Sequence, residues 1–441
     1  MKMKLPLPIA PKKIQQKKIV SPKNVAKINQ QLNAASKQFH VALAQENYVA
    51  AYQFILPAYK LVPEHAGILM DLAYTELRLE QYTKAFSHYK KAIQLSGKVV
   101  DTNVYDGMTE VCHFLKQPED LKYYGALAIQ SKKDMVVDEP IIGQVSSTPP
   151  KFDSKNKKAN IIAFSLFGNL ARYCETSLIN VDLANEIYPE WTCRFYVDDS
   201  VPVNVQRRLE EKGAEVIQVN GKQRELSGLF WRFFVIDDPT VKRFLIRDAD
   251  SLVSWRERAA VDEWLKSDKW FHLMHDFYSH TELILAGMWG GCTGVLTNIE
   301  QHIRDYVETG RYLSNRVMDQ HYLRYCIWPT VAQSVINHDS QGFDPHGIAF
   351  PLHEQKKDYE ELSQFHIGMN EGSAQFETVV NIADVEQVYW TLVDENSQPI
   401  CCYISKVSAA RTIIVDIPRT YAFRITAGEW SIHVSAIENA D

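Results

Sequence analysis

Residues 241–253 have the sequence VKRFLIRDADSLV, in which an apolar run, Phe244-Leu245-Ile246, leads directly into Asp248-Ala249-Asp250. In an extended chain, residues i and i+2 point to the same side, so the two carboxylates would face one ligand. At the carboxyl end of a sheet strand they would lie where open α/β sheets bind ligands. Two neighbouring carboxylates repel each other, and a divalent cation relieves this while it binds substrate phosphates. The stretch therefore predicts a buried strand that ends at a cation-assisted site.

The sequence around this stretch alternates between strand-like and helix-like segments. Residues 160–167 (NIIAFSLF) form a short apolar run, and a helix-like stretch follows it through residue 188. RFYVDD, VNVQRRLEEKG and AEVIQV continue the alternation as strand, helix and strand. The pattern predicts an α/β domain with a mostly parallel, doubly wound sheet over residues 159–372.

Residues 25–131 have helical periodicity and carry small residues at intervals of 34 positions. The positions one interval apart are Ala51 and Ala85, Ala73 and Gly107, and Ala58, Ala92 and Ala126. Small residues at this period resemble the tetratricopeptide repeat, in which helix backbones approach closely. The third repeat is degraded, because Glu119 stands where alanine is expected. An array of this kind is expected to bind the acceptor, a partner peptide or protein, or a second copy of the chain.

Two further segments differ from these domains in composition. Residues 132–158 combine proline pairs, Ser/Thr and a lysine cluster, which is typical of a linker. Residues 373–441 contain five segments with period-2 alternation: VYWTLVD, ICCYISKV, RTIIVDI, YAFRITA and WSIHVSA. This last region is therefore predicted to be a small antiparallel β-sandwich.

Residues 1–24 hold seven lysines and no acidic residue, which predicts a disordered basic tail. The alternative is an electrostatic contact with anionic lipid at the inner membrane face. Without an apolar anchor, that contact would be weak and peripheral, and salt would screen it over about 8 Å.

Composition limits the class of protein. The 441 residues carry a net charge of −6, which argues against a nucleic-acid-binding protein. No apolar stretch is long enough for a membrane helix, and the start of the chain is too proline-rich for a signal peptide. Seven scattered cysteines do not suggest a disulfide framework. We therefore expect a cytoplasmic, multidomain protein.

Three motifs in the α/β block carry a family resemblance. RDADS (residues 247–251), preceded by Trp231-Arg232-Phe233, resembles the metal-binding strand of nucleotide-sugar-dependent glycosyltransferases with the GT-A fold. AGMWGG (residues 286–291) and MDQHYL (residues 318–323) follow in the order that such enzymes use. Residues 260–291 are similar to bacterial glycosyltransferase-like proteins often tied to surface polysaccharide loci.

The resemblance covers about residues 160–370. It implies a Rossmann-like GT-A domain that moves a sugar from a nucleotide-diphosphate donor to a glycan or protein acceptor. A UDP-linked hexose is the expected donor because such donors are frequent in this fold.

The resemblance also implies roles for single residues. Asp248 and Asp250 would bind Mn²⁺ or Mg²⁺, with a histidine as third ligand. His366 in FHIGMN is similar to a histidine of glycogenin-like transferases, and His338 in VINHDS is the competing position. The donor-binding residues would be Phe164, Ser165, Arg232, Arg247, Asp248, Gly287, Trp289, Gly290 and Gln320, and the catalytic ones Asp319 and Arg232. The alternatives are a surface salt bridge for Arg232 and a helix cap for Asp319.

Two other functions stay open at this point. The chain could be a tetratricopeptide scaffold whose α/β domain senses sugar nucleotides without catalysis, or it could be a nucleotidyltransferase, which also uses paired carboxylates. Zinc binding by His272, His275 and His280 is a weak hypothesis, because no cysteine pair closes the set. The motifs of P-loop NTPases, dinucleotide-binding proteins and α/β-hydrolases are absent from the sequence.

Overall fold

The computed structural model describes residues 22–97, 100–311 and 317–437. The predicted basic tail of residues 1–24 therefore lies almost entirely outside the described residues. Within the described part of the chain, every helix is too short or too polar to span a bilayer.

The N-terminal region consists of paired helices. They are α1 (Pro22–Ala44), α2 (Tyr48–Leu61), α3 (Ala66–Arg78), α4 (Tyr82–Ser96), α5 (Thr102–Phe114) and α6 (Pro118–Met135). α1 packs against α2, α3 against α4 and α5 against α6. The small residues repeat at the crossings: Ala51, Ala73 and Ala85 are fully buried. A Cβ on Gly107 would lie 2.4 Å from the ring of Tyr89, so α5 needs a glycine there. The prediction of a helical N-terminal region is confirmed.

The following region is an α/β domain built on one seven-stranded sheet. The strands are β1 (Asn160–Leu166), β2 (Thr192–Val197), β3 (Glu215–Gln218), β4 (Arg243–Arg247), β5 (Phe271–His275), β6 (Met288–Cys292) and β7 (Val335–Asp339). Their order in the sheet is β3-β2-β1-β4-β6-β5-β7. β6 runs antiparallel to both β4 and β5, while the other pairings are parallel. The sheet is therefore mixed, with a single reversed strand among parallel ones.

Helices connect these strands and cover the sheet. They are α7 (Ala171–Ile187), α8 (Val203–Glu211), α9 (Trp255–Lys266), α10 (Ile299–Thr309), α11 (Met318–Tyr322) and α12 (Trp328–Val331). A 3₁₀ segment, Gly228–Asp237, lies between β3 and β4. It carries six apolar side chains into the core, which fixes the position of the charged Arg232 among them.

The C-terminal region contains two small antiparallel sheets. They are built from β8 (Ala374–Val379), β9 (Gln387–Val393), β10 (Pro399–Lys406), β11 (Thr412–Ile417) and β12 (Ser431–Ala436), in the orders β10-β9-β12 and β11-β8. The expected strand YAFRITA is instead a helix, α13 (Arg419–Thr426). Tyr421 and Ala422 are buried side by side, whereas Phe423 is 58% exposed, so burial does not alternate as it would in a strand.

The C-terminal region and the α/β domain share one continuous hydrophobic core. A fully buried carboxylate, Glu175 on α7, joins them. It accepts two hydrogen bonds of 2.8 Å from Arg208, one of 2.6 Å from the hydroxyl of Tyr403 and one of 3.1 Å from that of Tyr421. A buried charge is tolerated only when it is paired in this way.

The helical region is also attached to the α/β domain. Nζ of Lys132, a residue that is 2% exposed, donates to Asp106 (2.6 Å) and to the carbonyl of Thr281 (3.0 Å). The predicted linker of residues 132–158 begins inside α6 and then packs along the α/β domain. There Trp270 Nε1 donates to the carbonyl of Ser147 at 2.6 Å.

Candidate active site

The acidic motif follows β4, which lies between β1 and β6 in the sheet. All five residues of β4 are buried, and Phe244, Leu245 and Ile246 are inaccessible to solvent. Burial of these side chains fixes the strand, so the residues that follow it emerge at a defined point at the carboxyl end of β4. Asp248 and Asp250 lie there, one residue apart, as the sequence predicts.

A cavity of about 390 Å³ opens at this edge. Its lining residues are Ser165, Leu166, Phe167, Gly168, Leu170, Tyr173, Leu229, Arg232, Asp248, Ala249 and Asp250. Its volume lies within the range of cavities that bind small molecules, and its surface combines apolar side chains with a few charged ones. The cavity is therefore the candidate ligand site.

The loop after β1 forms the apolar wall of the cavity. Phe167 and Leu170 are about half exposed there, so they offer apolar surface to a ligand. Gly168 adopts a left-handed φ of +80°, and its N–H donates to Ser200 Oγ at 2.6 Å. The predicted site residues of β1 end at Ser165 and do not include this loop, although the rule that ligands bind beyond the carboxyl ends of strands points to it.

Arg232 connects the acidic motif with α11. One terminal nitrogen of its guanidinium donates to Asp248 Oδ1, and the other donates to Asp319 Oδ2 at 2.9 Å. Arg232 is 4% exposed, so the alternative of a surface salt bridge does not hold. Asp319 contacts the guanidinium but does not line the cavity. Arg232 therefore lies between Asp319 and the cavity.

The acidic residues are incompletely compensated by positive charge. Burial and the negative charge of Asp248 raise the pKa of Asp250 to about 6. Burial also raises the pKa of Asp319, against the opposing effect of Arg232. The cavity is therefore a site where an added cation is electrostatically favoured.

Gly287, directly before β6, lies against the acidic motif. A Cβ on Gly287 would lie 2.0 Å from Oδ2 of Asp248, which no real pair of atoms could tolerate. Gly287 is therefore a position of close approach, and the neighbour that it accommodates is the carboxylate of Asp248.

A loop that precedes β8 reaches Asp250 from the other side. Asn370 Nδ2 donates to Asp250 Oδ2, and the N–H of Glu371 donates to the carbonyl of Asp250 at 2.7 Å. Neither residue is among the predicted site residues, because 120 positions separate Asn370 from Asp250 and no local pattern signals the contact.

The structure does not bring the predicted histidine ligands to the two aspartates. His338 uses both ring nitrogens elsewhere, toward His272 and Glu263, each at 2.9 Å. His366 stacks on Phe277 with ring centres 3.6 Å apart. Across residues 22–97, 100–311 and 317–437, no three His, Cys, Asp or Glu side chains are grouped to hold a metal ion. The third-ligand role of His366 or His338 therefore stays a prediction that the geometry of the described residues does not support. The ring nitrogens of His275 contact Asn337 and the carbonyl of Glu282, and His280 Nδ1 accepts from the N–H of Asp276.

Four predicted donor-binding residues lie in the core and cannot reach a ligand. Phe164 stacks on Phe195 with ring centres 4.7 Å apart, and Trp289 is fully buried. Arg247 pairs with the buried Glu257 at 3.1 Å. Gly290 lies over the β4 backbone, where a Cβ would be 2.6 Å from the carbonyl of Phe244.

Two other predicted donor-binding residues lie near the charged groups. Ser165 lines the cavity, and its Oγ accepts a hydrogen bond of 2.9 Å from the N–H of Arg232. The N–H of Gln320 donates to Asp319 Oδ1 at 3.0 Å, which places Gln320 beside the buried carboxylate.

The donor atoms at Asp248 and Asp250 fit a hard divalent cation. Mg²⁺ is usually held by one or two carboxylates, and substrate phosphates and water complete its coordination. Burial and the negative charge of Asp248 both disfavour the charged form of Asp250 and raise its pKa, and a bound cation would oppose both effects. Two carboxylates at the edge of one cavity therefore fit Mn²⁺ or Mg²⁺.

Comparisons with known proteins give little further information. No protein-family model matches the chain, and no curated protein matches it. One solved structure with a match is a mutant of the O-GlcNAc transferase of Thermobaculum terrenum, at 12% identity and a TM-score of 0.23. The match covers 45% of this chain and 42% of that one, so the chain spans less than half of that structure. A likeness this weak carries no argument about fold or function.

Proposed function

We propose that the chain is a GT-A-type glycosyltransferase that takes a sugar from a nucleotide-diphosphate donor, with a UDP-sugar as the first candidate. The observation that carries the proposal is the pair Asp248 and Asp250 at the end of a buried central strand, on the wall of a cavity of about 390 Å³. The resemblance of RDADS, AGMWGG and MDQHYL to glycosyltransferase motifs supports the same reaction.

The charges in the cavity suit a diphosphate leaving group. A bound Mn²⁺ or Mg²⁺ would neutralise the negative charge that builds up on the departing diphosphate. Asp248 and Asp250 would hold that ion. Arg232 fixes the carboxylate of Asp248 through its own hydrogen bond, and Asp319 fixes the guanidinium from behind.

The apolar wall of Phe167, Leu170, Tyr173 and Leu229 suits a planar or ring-shaped part of the donor. Aromatic and aliphatic side chains of this kind bury such groups, while the few polar groups fix their orientation. We assign the helical region of α1–α6 to binding of the glycan or protein acceptor, of a partner, or of a second copy.

The test is release of nucleoside diphosphate by the full chain from a panel of nucleotide sugars, with Mn²⁺, with Mg²⁺ and with EDTA. Metal-dependent release of nucleoside diphosphate is the expected result. Release of pyrophosphate would instead indicate a nucleotidyltransferase. Saturable donor binding with no turnover in the presence of candidate acceptors would indicate a sensor.

Asp250→Asn keeps the shape of the side chain and removes a charged metal ligand. We expect turnover to fall by at least ~10²-fold, comparable to the loss of another preorganised charge-stabilising group. The matched control is Asp268→Asn, because that carboxylate is 71% exposed and forms an ion pair with its neighbour Lys269. Full activity of Asp250→Asn, or donor binding that is indifferent to metal, would overturn the proposal.

A further inference from the structure

We infer that the C-terminal region positions Asp250 through a set of three residues, Asn370, Glu371 and Thr420, which we call the latch. As a statement about a cation site, the inference rests on the proposed function. It assigns to the C-terminal region, through α13, a role in the active site that its own residues, which do not line the cavity, would not suggest.

The latch contacts Asp250 at both its backbone and its side chain. The N–H of Glu371 donates to the carbonyl of Asp250 at 2.7 Å, and Asn370 Nδ2 donates to Oδ2 of the carboxylate. Ser251 forms a β-bridge with Asn370, and its Oγ donates to the carbonyl of Gly368 at 3.0 Å. These contacts fix the position of the loop relative to the acidic motif.

The amide of Asn370 is itself held in place. Its Oδ1 accepts a hydrogen bond from the N–H of Gly372, which leaves Nδ2 directed at Asp250. Gly372 has a left-handed φ of +79°, and a Cβ there would lie 2.6 Å from the guanidinium of Arg419. The orientation of the Asp250 carboxylate is therefore set by a turn that already touches the C-terminal region.

Glu371 connects this turn to α13. Its carboxylate, on a residue 4% exposed, accepts hydrogen bonds from the backbone N–H of Thr420 (2.7 Å) and from the hydroxyl of Thr420. A carboxylate at the first turn of a helix satisfies N–H groups that have no partner within the helix, and it also meets the positive end of the helix dipole. The next residue, Tyr421, binds the buried Glu175, so α13 is fixed to the α/β domain independently of the latch.

Residues that hydrogen-bond a metal ligand orient it, and their loss typically weakens metal binding 10- to 100-fold. Asn370 is such a neighbour of Asp250, and Thr420 acts one step further away through Glu371. All three are positioning residues, because they act on a proposed ligand and do not touch the cavity themselves.

The experiment compares the full-length wild type with Asn370→Ala, Thr420→Ala, Thr420→Ser and Thr426→Ala. Thr426 is a matched control, because it lies on the same helix and its hydroxyl donates to the carbonyl of Ala422 within that helix. Two quantities are measured: binding of Mn²⁺ alone, from the electron paramagnetic resonance signal of the free ion, and hydrogen exchange of residues 366–372 without any ligand.

We expect Mn²⁺ to bind about 10-fold more weakly, or worse, to Asn370→Ala and several-fold more weakly to Thr420→Ala. Residues 366–372 should exchange faster in Thr420→Ala. Thr420→Ser should restore wild-type behaviour, and Thr426→Ala should retain it. Unchanged Mn²⁺ affinity and unchanged exchange in Thr420→Ala would overturn the latch. A wild type that binds no Mn²⁺ would count against the proposed metal, and hydrogen exchange alone would then decide the latch.

Discussion

Gly287→Ala adds one methyl group at the point where β6 meets the acidic motif. The new Cβ would lie 2.0 Å from Oδ2 and 2.5 Å from Cγ of Asp248, whereas ordinary contact begins at 3.4 Å. The carboxylate must therefore retreat by more than about 1 Å, because repulsion rises steeply inside that distance. Its hydrogen bond to Arg232 would be lost with the same movement. The backbone of Gly287 is not left-handed, so alanine causes no strain of its own.

The expected cost of this substitution falls on activity more than on stability. A misplacement of about 1 Å in a catalytic site can lower the rate ~10²-fold, which corresponds to about 2.7 kcal/mol of barrier. Overpacking a core costs about 1–3 kcal/mol, and the low end applies here because the Asp248 side chain is 41% exposed and can move toward solvent.

The assay for Gly287→Ala is donor turnover together with the thermal unfolding midpoint. Gly67→Ala is the control, because its Cβ would meet only the side chain of His65 at 3.3 Å, far from the acidic motif in sequence and fold. Turnover of Gly287→Ala within about threefold of wild type would refute the assignment of Asp248 to the active site.

Two further predictions concern the charges of the site. Arg232→Lys should lower turnover strongly while the chain stays folded, because a single ammonium cannot span Asp248 and Asp319 as the planar guanidinium does; equal turnover would contradict this. The pKa of Asp250 is raised from 3.8 to about 6, so the folded state binds this proton more tightly than the unfolded chain does. The free energy of unfolding of the wild type therefore falls as the pH rises from about 4 to about 6. Asp250→Asn does not show this loss. Its thermal unfolding midpoint in EDTA, relative to that of the wild type, should therefore rise as the pH rises over the same range. Midpoints that change with pH in parallel would contradict this.

The elements with strong local patterns could be predicted from the sequence. The apolar run of β4 and the two acids after it depend only on neighbouring residues, and the structure has them as expected. The small residues at 34-residue intervals required close helix crossings, and Ala51 and Ala85 lie fully buried at such crossings. In both cases a pattern within one segment of sequence determines the structure, so the structure could be predicted from that pattern.

Some errors at the site follow from the alternation of strands. Phe164 and Ser165 are adjacent in β1, so their side chains point to opposite faces and cannot both reach a ligand. Ser165 lines the cavity, and Phe164 packs on Phe195. Arg247 likewise points away from the face of Asp248 and pairs with Glu257. The period of two could have excluded Phe164 and Arg247 at the outset.

Other features depend on contacts between distant parts of the chain. Asn370 and Asp250 meet across 120 positions, and a single sequence holds no signal for that pairing. The segment YAFRITA alternates in hydropathy as a strand would, yet it lies in α13, where Tyr421 reaches Glu175 and Thr420 reaches Glu371. Pro418 directly before the helix and Gly428 after it, with a left-handed φ of +76°, are local boundary signals that the alternation outweighed in the prediction.

The pairing of Glu175 has a consequence for how the protein is made. Arg208, 33 positions further along, can neutralise the carboxylate early, but Tyr403 and Tyr421 follow only after 228 and 246 positions. At a synthesis rate of about 5–20 residues per second, this is a delay of roughly 10 to 50 s. During that time Glu175 in the nascent α/β domain has only some of its final hydrogen-bond partners. The apolar surface that the C-terminal region later covers is also exposed. The growing chain is therefore exposed to aggregation and proteolysis until Tyr403 and Tyr421 have been synthesised.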